Sequence, residues 1–289
     1  MSILLSTLIF LFSFTARAQE PAAPASPPSE PSLETVCRQD LGLIPNQLPS
    51  KDLNAICAKM KQLPDCKSEN GRPILHYERD GTAPKGRRIL AMSLIHGDEQ
   101  PSGIVTRSWI QRLEKIEPRN SWRVIPIANP DGVRSKKRMN AKGVDLNRNF
   151  PTSEWVDTAL KSWKEQTKSD PRRYPGPSSA SEVETKCLLQ HFEGFKPDFI
   201  ISIHTPIGVL DFDGPPVRVP KVSPLPWSTL GNYPGSLGRY MWKDNNIPVL
   251  TIELKGNSGA AKLEQIDQLQ DISGSIAIEA NRNRDEVKY

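Results

Sequence analysis

Cysteine is scarce in this chain, four in 289 residues, which excludes a small fold stapled together by disulfides. No internal repeat is present and glycine numbers only 18, which excludes a collagen-like rod; a hydrophobic share of 37% excludes a mostly disordered chain. Neither sign of charge dominates: 38 Lys and Arg against 33 Asp and Glu leave a formal +5, spread along the chain rather than blocked. That balance suits an anionic substrate or surface. With no basic tail and no basic motif interleaved with aromatics, it gives no ground for a nucleic-acid partner.

Long apolar runs are also missing, apart from Ile3 to Phe14, which is short for a membrane span and suits the core of an export signal. Ala16-Arg17-Ala18 puts small residues at the two positions a signal peptidase reads, so cleavage is expected after Ala18, with no stable membrane insertion afterwards. An uncleaved anchor is the alternative, because no Lys or Arg precedes the run. Export to the periplasm or beyond is the expectation.

Gln19 to Ser32 is a Pro/Ala/Ser tether unable to form a core, and from about Leu33 the composition is globular. The segments read as signal 1–18, linker 19–35, a cysteine-containing cap 36–69 and one catalytic domain 70–289. Cys37, Cys57 and Cys66 cluster in the cap while Cys187 lies far off, and their spacings match no zinc motif. Two disulfides fit an oxidising compartment, in any of the three connectivities that four cysteines allow; free buried thiols are the alternative.

Strand and helix patterns alternate. Arg88–Ile95, Trp122–Ile127, Phe199–Ile203 and Pro248–Ile252 read as strands; Pro101–Lys115, Ser181–Phe195 and Gly259–Asn281 read as helices. The expected fold is α/β, a three-layer α/β/α sandwich around a mixed, mostly parallel sheet. Polar groups follow each strand: His96-Gly-Asp-Glu99 after the first, Asn129-Pro-Asp-Gly132 and then Asp145-Leu-Asn-Arg-Asn-Phe150 after the second, His204 after the third, Glu253 after the fourth. Open α/β sheets bind ligands at the carboxyl ends of their strands, so these groups are expected on one rim.

Two imidazoles and a carboxylate suit one Zn²⁺ ion, which makes His96, Glu99 and His204 candidate ligands. Glu253 is placed to take a proton from the attacking water and return it to a leaving amine. Arg138 suits an oxyanion, and Asn147 with Arg148 suits a substrate carboxylate. Taken singly, each has a duller reading: an isolated His-x-x-Glu is a weak signal, a histidine at a strand end is usually a satisfied core group, and a lone arginine usually pairs with an acid. His76 and His191 lack such context and read as structural.

Joined in order, His96-Gly-Asp-Glu99, Asn129-Pro-Asp-Gly132, Gly143-Val-Asp-Leu-Asn-Arg-Asn-Phe150, His204 and Glu253 resemble the M14 zinc carboxypeptidase family over roughly residues 70 to 280. The resemblance implies that His96, Glu99 and His204 bind zinc, that Glu253 is general base and acid, and that Asp145 orients His96. It further implies that Asn147 and Arg148 bind the terminal carboxylate while Arg138 polarises the scissile carbonyl. His204-Thr-Pro206, Asp211-Phe-Asp-Gly214 and Asn232-Tyr-Pro-Gly-Ser-Leu-Gly238 are similar to the bacterial branch that hydrolyses the γ-D-glutamyl–diaminopimelate bond of peptidoglycan stem peptides. A stem peptide is then the expected partner, Asp211 and Asp213 facing its free ammonium, although Asp-x-Asp-Gly before two prolines is also an ordinary turn. Tyr233 or Tyr240 is expected to close over the substrate, with packing as the alternative for each. A monomer is expected. A general carboxypeptidase, a deacylase of small N-acyl amino acids and a non-catalytic peptidoglycan-binding module are the rival readings; the last predicts loss of a ligand or of Glu253, and neither is lost.

Overall fold

Mostly aliphatic runs bury both faces, and the chain lays them side by side as the centre of one mixed sheet. The computed structural model describes residues 31–218, 220, 223–256 and 262–286; the expected signal and the tether as far as Glu30 lie outside these. In chain order the elements are α1 (Leu33–Leu41), α2 (Ser50–Cys57), β1 (Lys61–Lys67), β2 (Pro73–Arg79), β3 (Arg88–Ser93), α3 (Ser102–Leu113), β4 (Ser121–Ile125) and α4 (Pro130–Ser135). They continue with α5 (Trp155–Gln166), α6 (Val183–Phe195), β5 (Phe199–His204), β6 (Ile207–Asp213), β7 (Val249–Lys255) and α7 (Leu263–Glu286). Among the described residues no helix is long and apolar enough to cross a membrane.

The seven strands run β1-β2-β4-β3-β5-β7-β6, with β4, β3, β5 and β7 parallel and the outer strands antiparallel. Alternation along the strands splits the core in two. Ile89, Ala91, Phe199, Ile201 and Leu250 face Trp109 and Ile110 of α3 and Ile266 and Leu269 of α7. Leu90, Met92, Ile200 and Val249 face Leu188 and Phe192 of α6. Each Leu, Ile, Val, Phe or Met among them, fully buried, contributes roughly 1.5–3 kcal/mol. Helices cover both faces, and the fold is the expected three-layer sandwich.

Several boundaries differ from the sequence expectations for local reasons. Ser32 caps α1, its Oγ accepting the Thr35 N–H at 3.3 Å, so the helix starts inside the segment read as linker. β3 stops at Ser93 because Leu94 turns left-handed, at φ 54°. β7 runs on to Lys255, alongside β6, so Glu253 stands within a strand instead of ending one. The segment read as a cap supplies the edge strand β1, whose Pro64 and irregular register against β2 blunt that edge.

Buried polar groups brace the amino-terminal segment. Arg107 of α3 donates to the carbonyls of Leu41, Ile44 (both 3.2 Å), Pro45 (2.7 Å) and Asn46, which pins the α1–α2 loop; burial pulls its guanidinium down to about 10. His76 and His191 are buried with ring centroids 4.8 Å apart, and burial depresses them to about 4 and about 3, so both are neutral at pH 7. Cys37 is bonded to Cys57, joining α1 to α2, and Cys66 to Cys187, joining β1 to α6.

The two disulfides close loops of very different length, with sequence separations of 20 and 121 residues. Loop-closure entropy predicts a cost of about 3 kcal/mol for removing Cys37–Cys57 and about 5 kcal/mol for Cys66–Cys187. Denaturant titration of the two double-alanine variants checks this; a larger loss from the short loop would contradict it.

Candidate active site

The site begins where β3 ends. Leu94 takes its left-handed turn while its carbonyl accepts the Asn129 N–H at 3.0 Å, and the chain leaves the sheet as the His96–Glu99 turn. Gly97 is obligatory there: a Cβ would stand 1.9 Å from the carbonyl carbon of Gly132 in α4. Asn129 caps α4 by accepting the Gly132 N–H at 2.9 Å and donates to the carbonyls of Ile95 (3.2 Å) and Arg138 (3.3 Å). The Asn-Pro-Asp-Gly segment is therefore scaffolding and not part of the rim. Asn129 is buried beneath it, and Asp131 turns away to accept the Asn70 N–H at 3.0 Å.

His96, Glu99 and His204 are all buried and meet at one point. His96 Nδ1 lies 2.8 Å from Glu99 Oε1, and His204 Nδ1 lies 2.9 Å from Glu99 Oε2. The opposite ring nitrogens are engaged: His96 Nε2 donates to Asp145 Oδ1 at 3.1 Å, and His204 Nε2 shares a hydrogen bond with the Ser202 hydroxyl at 2.8 Å. The Asp145 carboxylate only accepts, so it holds a proton on His96 Nε2, and the Nδ1 atoms of the two rings are the ones turned to the shared carboxylate. One donor atom from each of the three residues lies within 4.8 Å of the others, and an open set of two imidazoles and a carboxylate fits zinc. Burial opposes the charge on Glu99, but the two imidazoles hold its carboxyl far below the usual range.

Asp145 is buried and ties the metal turn to the binding residues. Its Oδ2 accepts Arg138 Nε (3.1 Å) and Nη2 (2.9 Å), and its Oδ1 accepts the Asn147 N–H (3.0 Å) as well as His96. Despite burial, Arg138 and His96 keep its carboxyl well below the ordinary range. The fork leaves Arg138 Nη1 turned toward the ligand set, 3.2 Å from His96 Nδ1. Arg148 lies across the Tyr233 ring, 4.4 Å from guanidinium carbon to centroid, and Asn147 Oδ1 accepts the Leu237 N–H at 2.8 Å. The 230–238 loop is held down by Gly235, left-handed at φ +76°, where a Cβ would meet the Arg148 carbonyl.

The three candidate ligands, Arg138, Asn147, Arg148 and Tyr233 line a cleft of about 570 Å³. Glu253, paired in register with His204 on the neighbouring strand, accepts the Ile207 N–H at 3.4 Å; burial raises its carboxyl, with Glu99 adding to the effect and His204 opposing it. Asp211 and Asp213 line the same cleft from β6. Burial and the neighbouring Asp213 push Asp211 up to about 6, and burial raises Asp213, which accepts Asn232 Nδ2 at 2.7 Å.

Every site residue expected from the sequence thus lines the cleft or, like Asp145, contacts one that does. Of the two tyrosines, Tyr233 borders the cleft on Arg148, whereas Tyr240 stacks on Phe150 at 5.9 Å. Sequence reasoning missed Ser202, although it is the polar residue of an apolar strand and two positions before His204, hence on the same face. It also missed Arg172 and Arg173, which border the cleft from a turn with no pattern of its own.

A family model described as zinc carboxypeptidase matches residues 60–210. Murein peptide amidase A of Escherichia coli K12 is 29% identical over 194 residues, covering 63% of this chain and 76% of that protein. Murein peptide amidase A of Vibrio campbellii is 28% identical over 210 residues, covering 69% and 81%. The crystal structure of murein-tripeptide amidase from E. coli O157 superposes with a TM-score of 0.54 at 22% identity, covering 82% of this chain and 95% of that one.

If the close approach of Gly97 to Gly132 aims His96 and Glu99, then Gly97→Ala weakens zinc binding about 10- to 100-fold, as loss of an orienting contact does. Zinc titration against a competing chelator measures it, and unchanged affinity would show that the turn tolerates the displacement.

Proposed function

Because this chain belongs to the zinc carboxypeptidase family of hydrolases, we propose that its cleft hydrolyses the amide between γ-D-glutamate and meso-diaminopimelate in peptidoglycan stem peptides. The observation that carries the reading is the pairing of a carboxylate clamp, Asn147 and Arg148, with two neighbouring acids, Asp211 and Asp213, in one cleft with the metal-ligand set. Diaminopimelate offers matching groups: a carboxylate beside the scissile amide and an ammonium at the far end of its side chain. The similarity to proteins named murein peptide amidase A supports the same choice.

His96, Glu99 and His204 would hold the zinc ion, which when bound would supply Lewis-acid polarisation and activation of water. Arg148 forks onto the free carboxylate of the leaving residue, and stacking on Tyr233 fixes the plane of its guanidinium. Arg138, immobilised by Asp145, donates through Nη1 to the carbonyl oxygen as negative charge develops there. Glu253 accepts a proton from the attacking water and hands it to the departing amine. Residues 1–18 are the export signal in this reading, and the two disulfides support a place outside the cytoplasm, where the substrate lies. Removal of a basic C-terminal residue from ordinary peptides is the second reading, since Asp211 and Asp213 suit that ammonium equally.

Purified murein tripeptide should release free diaminopimelate, detected by mass spectrometry and abolished by a zinc chelator. Release of C-terminal lysine from ordinary peptides with an intact tripeptide would favour the second reading. Glu253→Gln should keep its zinc, measured by elemental analysis, and lose about 10²- to 10⁴-fold in kcat; undiminished turnover would remove Glu253 from its role.

A pH signature follows from Asp211. Its carboxyl, held near about 6, takes up a proton as the pH falls through that value, leaving less negative charge for the substrate ammonium. KM for the tripeptide should therefore rise below about pH 6, while KM for an analogue with an uncharged side chain does not follow. Asp211→Asn should raise the tripeptide KM about 10- to 100-fold at pH 7.5, as losing a charged hydrogen bond does, and flatten the profile. A parallel profile for both substrates would overturn the assignment.

A further inference from the structure

Among the described residues four arginines and no lysine border the cleft: Arg138, Arg148, Arg172 and Arg173. The first two have work already, Arg138 forked onto Asp145 and Arg148 on the carboxylate beside the scissile amide. The other two occupy the short turn Pro171–Arg173, which nothing in the mechanism uses.

That turn is firmly built. Asp170 caps it by accepting the Arg172 N–H at 2.9 Å, and the Asp170 carbonyl accepts Trp163 Nε1 at 2.8 Å. Tyr174, which follows, rests against Trp163 with centroids 5.0 Å apart, and its carbonyl accepts the Asp145 N–H at 2.8 Å. The turn is thus fastened to the residue that orients His96. Arg172 Nη2 donates to Asp98 Oδ2 at 2.7 Å, which sets its guanidinium over the metal-binding turn beside Glu99. Arg173 has its nearest acid, Asp170, at 3.7 Å, beyond hydrogen-bond reach, and stands close enough to Arg148 to help depress it. Both side chains are about half exposed, at 56% and 46%, so their remaining N–H groups are open to the cleft and solvent.

Each guanidinium has at most one acid beside it and N–H groups to spare, and two such half-exposed forks on a rigid turn, with Arg148 nearby, favour an anion. The geometry points to Arg172 and Arg173 as a second carboxylate-binding site, reading a substrate carboxylate other than the one held by Arg148. This rests on the substrate proposed above, which brings two such groups: the α-carboxylate that a γ-linkage leaves free on glutamate, and the carboxylate at the distal end of diaminopimelate. A peptide with an ordinary α-linkage ending in lysine has neither at these positions. The turn would thereby separate stem peptides from ordinary basic C-termini, which Asp211 and Asp213 alone do not.

The test is calorimetric binding to the zinc-loaded full chain carrying Glu253→Gln, with and without Arg172→Gln and Arg173→Gln. Three ligands are compared: L-Ala-γ-D-Glu-meso-diaminopimelate, its D-isoglutaminyl analogue, and the analogue with L-lysine in place of diaminopimelate. The two arginine changes should weaken the parent tripeptide about tenfold or more, as loss of charged hydrogen bonds does. They should leave the analogue that lacks the cognate carboxylate within about twofold, and which analogue that is identifies the source. Arg172→Lys with Arg173→Lys should restore most of the affinity, which a change that merely loosens the turn would not do. Equal weakening of all three ligands, or none, overturns the second site. Failure of the tripeptide to bind before any arginine is changed would overturn the substrate reading, and the second site with it.

Discussion

A single buried carboxylate organises this site. Asp145 has no exposed surface, yet its two oxygens accept from His96, Arg138 twice and the Asn147 backbone. An unpaired charge in that position would be prohibitive; surrounded by these donors it is held ionised, and each donor is held in turn. The His96 ring, the Arg138 guanidinium and the backbone that carries Arg148 are fixed by one group. Its own N–H is anchored by the Tyr174 carbonyl, so the turn bearing Arg172 and Arg173 belongs to the same assembly.

The sheet supplies the other constraint. Parallel pairing of β3, β5 and β7 brings the ends of three strands together, and in-register pairing sets His204 beside Glu253. The proposed metal ligand and the proposed proton carrier thereby stand on neighbouring strands at a separation the ladder dictates. Leu94 adds a local device: left-handed backbone at a buried leucine costs of order 1–3 kcal/mol, and it directs the chain from β3 into the ligand turn. Close contact between Gly97 and Gly132 keeps that turn against α4.

The central architecture was legible because its signals are local. Runs such as Phe199–Ile203 have no reading but a buried strand, and the His96–Glu99 and Gly143–Phe150 segments keep their spacing in any context. The edges were not legible. β1 contains a proline and charged residues, and β2 and β6 become strands only through the partners they meet. The same holds within the site. Ser202 matters because its hydroxyl meets a ring nitrogen two residues away, and Arg172 because a distant turn delivers it to Asp98. Asn129 misled in the opposite sense: a polar residue after a strand suggested the rim, but its side chain satisfies buried carbonyls below it.

The bond between Cys66 and Cys187 has a topological consequence. It encloses in one covalent ring His96, Glu99, Arg138, Asp145 and Arg148, together with the turn at 171–173 and the exposed loops around it. A protease that severs the backbone once anywhere between residues 67 and 186 therefore produces no separate fragments. Both halves stay joined through sulfur, with the sheet still paired across the cut, and a nicked molecule remains a single particle.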